Sequence, residues 1–245
     1  MSSNLRDFLD DVAKKYGDRD ALLFKPGFKY VSWSYKELGK DSRKAATLLK
    51  DKGLKKGDTV VIWAPNSPVW VISFFACLRV GVIAVPLDMR SSEEFVKTIL
   101  SKTNPKLAIV SRSTPKEHVS IGVPLLYMED MPIAYDSLQE ANNVEIPPDQ
   151  IAEVMFTSGT TGDPKGVMLT HKNLTSNLES VGQIMTGKED DRLLSILPLS
   201  HMFEQMGGLL FPLLIGANVT YITSRRPKAI FQTMQERRVS VMLLV

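Results

Sequence analysis

The sequence predicts an α/β fold of mostly parallel β-sheets covered by helices on both faces. Three observations carry that reading. Short apolar runs alternate with segments of helical apolar periodicity along nearly the whole chain. Capping residues stand immediately before most of the helical stripes. With 44% hydrophobic and 23% charged residues in 245 positions, the chain has ordinary globular usage and enough apolar material for a large buried core.

The elements follow in order. Residues 21–24 and 29–33 flank Lys25-Pro26-Gly27 and read as a hairpin. Ser34 and Glu37 form a capping-box signature before a stripe of Leu38, Ala45, Ala46 and Leu49, and Gly53 stops that helix. Residues 59–63 are a short apolar strand. Asn66-Ser67-Pro68 combines a cap with proline at the first helical position, opening a helix that runs to about Arg79. Residues 82–87 form the next strand; Ser91 with Glu94 caps a helix bearing Phe95, Ile99 and Leu100, and Asn104-Pro105 ends it. Residues 107–110 are again a strand. The stretch 111–148 is weakly patterned, with one strand at 124–128, and 141–150 is polar and proline-bearing like a surface loop. From Ile151 the alternation resumes, with strand 153–157, a glycine-rich loop, helix 170–185, strand 193–197, helix 203–214, strand 219–222 and helix 227–238. A final strand, 239–245, runs into the terminus without a polar tail, which reads as an interrupted domain.

Several function classes fall away early. The net charge of +3 comes from 30 basic and 27 acidic residues without a basic block, so no nucleic acid is implied. Cys77 is the single cysteine, which fits a reducing cytoplasm and rules out a disulfide-built scaffold. The opening residues carry acids and no signal-like apolar run. Residues 69–87 are the one stretch worth testing as a membrane span, but Arg79 and Gly81 interrupt it. A buried helix followed by a buried strand is expected there instead. Peripheral contact with a membrane remains compatible with the sequence.

The strongest chemical signal is Phe156-Thr-Ser-Gly-Thr-Thr-Gly-Asp-Pro-Lys-Gly-Val-Met-Leu-Thr-His-Lys-Asn-Leu174. A strand delivers a loop with Gly159, Gly162 and Gly166, hydroxyls on Thr157, Ser158, Thr160 and Thr161, and one cation, Lys165. Backbone amides freed by glycine make an anion-binding nest, to which hydroxyls and a lysine add donors and charge. The loop is not of the Walker type, because Asp163 and Pro164 separate Gly162 from Lys165. A phosphate-loop kinase or GTPase is thereby disfavoured.

That stretch resembles the signature of the adenylate-forming superfamily of acyl-CoA synthetases, luciferases and peptide-synthetase adenylation domains. The resemblance extends to Gly57-Asp58-Thr-Val-Val-Ile-Trp-Ala-Pro-Asn-Ser67, to Gly81-Val-Ile-Ala-Val-Pro-Leu87 and to Leu197-Pro-Leu-Ser-His-Met-Phe-Glu-Gln205. The His-x-Phe-Glu form is most similar to medium- and long-chain fatty acyl-CoA ligases. The resemblance implies ATP-dependent activation of a carboxylic acid to an acyl-adenylate, then transfer to CoA, with ATP, Mg²⁺ and CoA as partners of the acid. It implies that Thr157 helps hold Mg²⁺ and that Ser158, Gly159, Thr160, Thr161, Gly162 and Lys165 surround the phosphates. His201 is implied near the α-phosphate and the substrate carboxylate, and Phe203, Gly207 and Gly208 around the acyl pocket. Plainer roles stand beside these: His201 and Glu204 as helix-start residues, Phe203 as core, His171 as structural, Cys77 as small core filling. Adenylation of an aryl or amino acid, and a non-catalytic nucleotide-binding module, are the alternative functions.

The resemblance further implies two packed, mostly parallel β-sheets flanked by helices, the partial large domain of an adenylate-forming enzyme. One subdomain would comprise about 55–184, the other 1–54 with 193–245, and the carboxy-terminal domain would be absent. An amino-terminal fragment of this kind is expected to be inactive alone. It is also expected to self-associate, as a homodimer or through its exposed sheet edge.

Overall fold

The computed structural model describes residues 2–114, 122–142, 144–157 and 163–245. The fold is α/β, with two mostly parallel sheets flanked by helices. A first sheet is built from β1 (Asp20–Lys25), β2 (Val31–Ser34), β9 (Arg192–Ser195), β10 (Asn218–Ile222) and β11 (Val241–Met242) in the order β11-β9-β10-β1-β2. A second uses β3 (Thr59–Trp63), β4 (Ile83–Leu87), β5 (Leu107–Val110), β6 (Leu125–Tyr127), β7 (Ile151–Thr157) and β8 (Lys165–Thr170) in the order β6-β5-β3-β4-β7-β8. Each sheet is parallel except at one edge, where β2 pairs antiparallel with β1 and β8 with β7.

Helices α1 (Leu5–Tyr16), α2 (Tyr35–Asp51) and α3 (Pro68–Val80) belong to one apolar core with residues of both sheets, among them Leu22, Tyr221, Val60 and Ile62. α3 explains the apolar stretch that looked like a candidate span. Every residue from Trp70 to Val80 is buried, as expected of a helix that is hydrophobic on all sides. No helix among the described residues is long and apolar enough to cross a membrane. Arg79, 2% exposed, is the polar exception: its guanidinium donates to both carboxylate oxygens of Asp10 at 2.7 and 3.1 Å and to Ser42 Oγ at 2.9 Å. These bonds join α1, α2 and α3. The second sheet's other face packs on α4 (Glu93–Thr103) through Val96, Ile99 and Leu100.

Most helix boundaries obey local chemistry. Ser34 and Glu37 form the capping box of α2 in both directions; Ser67 caps α3 with Pro68 in its first turn, and Gly81 ends it at φ +78°. Five expectations need correction. Ser92, not Ser91 with Glu94, caps α4, which places Glu93 and Glu94 together in the first turn. The weakly patterned stretch holds a short helix, α5 (Met131–Asp136), opened by Pro132. Residues 165–170 form a strand before α6 (His171–Ile184), because β7 supplies their ladder although they are largely exposed. The predicted helix 203–214 is a π-helical segment, Glu204–Leu210, followed by α7 (Phe211–Ile215). The terminal strand pairs only at Val241–Met242, parallel to β9, and follows α8 (Pro227–Arg237).

Two predictions concern this framework. Gly216 ends α7 at φ +83°, and a Cβ there would stand 2.5 Å from the Tyr16 ring. That ring is fixed by its hydroxyl, which donates to the Leu214 carbonyl at 3.0 Å, and by Tyr35 at 5.0 Å between centroids. Gly216→Ala is therefore expected to cost about 2 kcal/mol or more in urea unfolding, combining an unfavourable backbone with overpacking. His171 is buried, with Nδ1 accepting from Leu5 N at 3.3 Å and Nε2 unpartnered among the described residues. Burial, with Arg6 adding repulsion, lowers its pKa from 6.5 to about 4. Between those values the unfolded chain binds a proton that the native state refuses, so this residue makes stability fall as pH falls from about 6.5 to about 4. Thermal melts across that window should lose part of their slope in His171→Gln.

Candidate active site

Thr157 ends β7 and Lys165 opens β8, and the two stand directly opposite each other in the ladder. The glycine-rich segment thus connects, in sequence, two strands that pair antiparallel, with a hydroxyl at the end of one and an ammonium at the start of the other. Both residues are exposed. Ser158, Gly159, Thr160, Thr161 and Gly162 lie outside the described residues. Asp163, the acid beside Lys165, is taken by Lys102 of α4, whose Nζ bonds both carboxylate oxygens and the Pro164 carbonyl at 2.8 Å. Gly166 is packed closely: a Cβ there would meet Val154 and Phe156 at 3.0–3.1 Å. The loop is therefore pinned on its outgoing side while Lys165 keeps its charge available for an anion.

A second feature sits where parallel strands of both sheets end. A cavity of about 250 Å³ is lined by Asn66 after β3, Asp88 and Arg90 after β4, Ser195 at the end of β9, Leu199, and Arg225 after β10. Open α/β sheets bind ligands outside the carboxyl ends of their strands. Arg90 grips Asp88 through its own backbone N–H at 2.8 Å and through two guanidinium nitrogens at 2.8 and 3.1 Å. Burial tends to raise the Asp88 pKa, but the Arg90 hydrogen bonds and charge, with a smaller contribution from His201, hold it below the usual carboxylate range. His201 is exposed, with Nε2 3.5 Å from the Asp88 carboxylate. Asn66 stitches the two sheets, donating to Ser195 Oγ at 3.1 Å and the Leu197 carbonyl at 2.6 Å and accepting from Leu199 N at 3.0 Å.

The π-helical segment after His201 carries the rest. Phe203 is 53% exposed, so it is not core filling. Glu204 is buried, accepts from Ser195 Oγ, and is raised by burial to about 7. It does more than sit in a helical first turn. Gly208 exists for that carboxyl, since a Cβ there would stand 2.5 Å from Glu204 Cδ, and the space beside Gly207 is held by Leu243 at 2.9 Å. Both glycines therefore face this chain's own side chains. The motifs singled out the loop and the His201 segment, in which Gln205 carried no assigned role, and they missed Asp88, Arg90, Ser195, Arg225 and Glu153. The overlooked signals were an Asp-x-Arg directly after a parallel strand and a lone glutamate within the apolar strand 151–157.

Mg²⁺ is implied by the resemblance. Thr157 offers one hard hydroxyl oxygen, which suits an ion held by one or two protein oxygens and substrate phosphates. Among the described residues no group of three or more His, Cys, Asp or Glu gathers as a dedicated cage.

Among the described residues, a hairpin with a hydroxyl and an ammonium at its feet stands in the same α/β fold as a cavity at the strand ends of both sheets, where open α/β sheets commonly bind ligands. The AMP-binding enzyme family matches residues 9–245, and the chain belongs to that family. Crotonobetaine/carnitine–CoA ligase of Salmonella paratyphi A is 31% identical over 220 residues, covering 81% of this chain and 42% of that protein. The chain thus spans about two fifths of the length of the curated relatives it matches. Among solved structures, the Klebsiella oxytoca NpsA N-terminal subdomain in complex with 3-hydroxybenzoyl-AMSN aligns with TM-score 0.83 at 24% identity, covering 98% of this chain and 59% of its own. A fatty acyl-adenylate ligase from L. pneumophila, in complex with acyl adenylate and pyrophosphate, aligns with TM-score 0.83 at 21% identity, covering 99% and 44%. At these identities the structural likeness speaks for the fold.

Proposed function

We propose that this chain carries the nucleotide- and acid-binding part of an ATP-dependent acid–CoA ligase. The observation that supports it most is the placement of the signature: Thr157 and Lys165 face each other across the hairpin whose loop holds the remaining hydroxyls and glycines. In the reaction, a carboxylate oxygen attacks the α-phosphorus of ATP, the bond to pyrophosphate breaks, and an acyl-adenylate forms. The CoA thiol then attacks the acyl carbon, AMP leaves, and the thiol proton passes to solvent.

The residues divide that work by charge and position. Lys165 and the loop amides and hydroxyls, Ser158, Thr160 and Thr161 among them, bind the β- and γ-phosphates, where stabilisation of developing charge dominates catalysis. Mg²⁺, with Thr157 as one protein ligand, supplies further charge neutralisation when bound. His201 orients the carboxylate at the α-phosphate, and Asp88 at 3.5 Å holds the imidazole in place. Phe203 and Gly207 border the acyl site, which an acyl chain would enter by displacing Leu243 from beside Gly207, whereas the space at Gly208 is taken by the Glu204 carboxyl.

A fatty acid is the substrate we favour, because Phe203 is a large exposed apolar surface next to His201. A short polar acid is the second reading. The charged cavity with Arg90, Asp88 and Arg225 favours it, as does the 31% identity to a crotonobetaine/carnitine–CoA ligase. Thioester formation by the full-length protein with acids of graded length separates the two. Rising kcat/KM with chain length supports the fatty reading; a preference for short zwitterionic acids overturns it. The 245 residues alone are expected to show negligible turnover, since they span about two fifths of their relatives. Exchange near full-length rates would contradict that. Self-association of the isolated chain is checked by light scattering.

A further inference from the structure

Glu153 lies on β7, four residues before Thr157, and its side chain is wholly buried. It meets Gln205, equally buried on the π-helical segment four residues after His201. Gln205 Nε2 donates to Glu153 Oε2 at 3.0 Å. The two remaining oxygens, Glu153 Oε1 and Gln205 Oε1, are both buried and lack a partner among the described residues.

Two acceptors without a donor are costly in a dry core, about 1–3 kcal/mol for each unsatisfied group. One proton removes both deficits. Placed on Glu153 Oε1, it turns that oxygen into a donor to Gln205 Oε1 and closes a ring of two hydrogen bonds. Reversing the Gln205 amide gives the same ring with the proton on the other carboxyl oxygen, so the conclusion does not depend on which way the amide points.

We propose that Glu153 is a neutral carboxylic acid paired side to side with Gln205, and that this pair positions the strand entering the nucleotide loop against the substrate segment. The functional half of the proposal rests on the ligase reading above. Burial, opposed by the Gln205 bond, raises the Glu153 pKa to about 7, in keeping with a proton retained there. The arrangement gives the substrate segment a polar tie to each sheet. Glu204 reaches Ser195 on β9, and its neighbour Gln205 reaches Glu153 on β7. Buried polar pairs of this kind fix a unique register when every member is satisfied.

The test uses the full-length protein and three readouts. Glu153→Gln presents one donor and one acceptor in the same shape, so it should keep the wild-type melting temperature and kcat/KM for pyrophosphate exchange within about threefold. Glu153→Ala should lower the melting temperature, speed amide exchange in both 165–170 and 204–210, and raise KM for the acid more than it lowers kcat. Carboxyl-labelled glutamate should give a protonated NMR signal at pH 6 that disappears in Glu153→Gln. An ionised signal at pH 6, or a Glu153→Gln variant as unstable as Glu153→Ala, overturns the proposal. Slow amide exchange retained in both segments of Glu153→Ala overturns the positioning role. Absence of exchange in the wild type with every acid would sink the ligase reading, while the NMR and melting results still decide the pair.

Discussion

Lys165→Ala in the full-length protein is expected to lower kcat/KM for ATP in pyrophosphate exchange by about 10²–10³-fold, the scale of losing one preorganised charge-stabilising donor. The structural reason is the isolation of this ammonium. Its neighbour Asp163 is bonded at 2.8 Å to Lys102, and Lys165 stands opposite Thr157 at the foot of the loop. Nothing else in the stretch 157–166 carries positive charge. Lys165→Arg keeps the charge with a different fork and should recover only part of the loss. The melting temperature should barely move in either variant, because the side chain is exposed. A large stability loss would assign Lys165 a structural role instead.

Asp10→Ala should produce the largest loss of stability, about 3 kcal/mol. Arg79 is 2% exposed, and its guanidinium would be left with Ser42 as its one remaining side-chain partner among the described residues. Breaking a buried pair by removing one member leaves an uncompensated charge, which typically costs about 3–5 kcal/mol. The lower end applies here because Asp10 is 30% exposed and water can enter the space it vacates. Arg43, which bonds Asp10 at 2.9 Å, would be left beside Arg79 and add repulsion. Replacing both partners, as in Asp10→Leu with Arg79→Met, should recover most of the loss, since an apolar pair of similar volume fits the all-buried environment of α3. Urea midpoints of the three proteins check this. A cost of Asp10→Ala below about 1 kcal/mol would place the pair among ordinary surface bridges.

What could be read from the sequence was what is encoded locally. Ser34 with Glu37, and Ser67 with Pro68, announce their helices because a cap needs only neighbours three residues away. β8 was not legible, because its exposed residues carry no inward pattern and its hydrogen bonds come from β7. The π-helical segment was also hidden. Its backbone spacing goes with packing against distant residues, the Glu204 carboxyl folding over Gly208 towards Ser195 and Leu243 over Gly207. The candidate site divides in the same way. The loop is contiguous and was legible as chemistry. The cavity is assembled from Asn66, Asp88, Ser195 and Arg225, each at the end of a different strand, and only folding brings them together.

On the proposed function, the hairpin loop and the strand-end cleft together place ATP against a carboxylic acid. Acid-dependent incorporation of labelled pyrophosphate into ATP by the full-length protein tests it most directly. Exchange is expected to require a carboxylic acid and to largely disappear in Lys165→Ala. Exchange that proceeds without any acid, or an undiminished rate in Lys165→Ala, would contradict it.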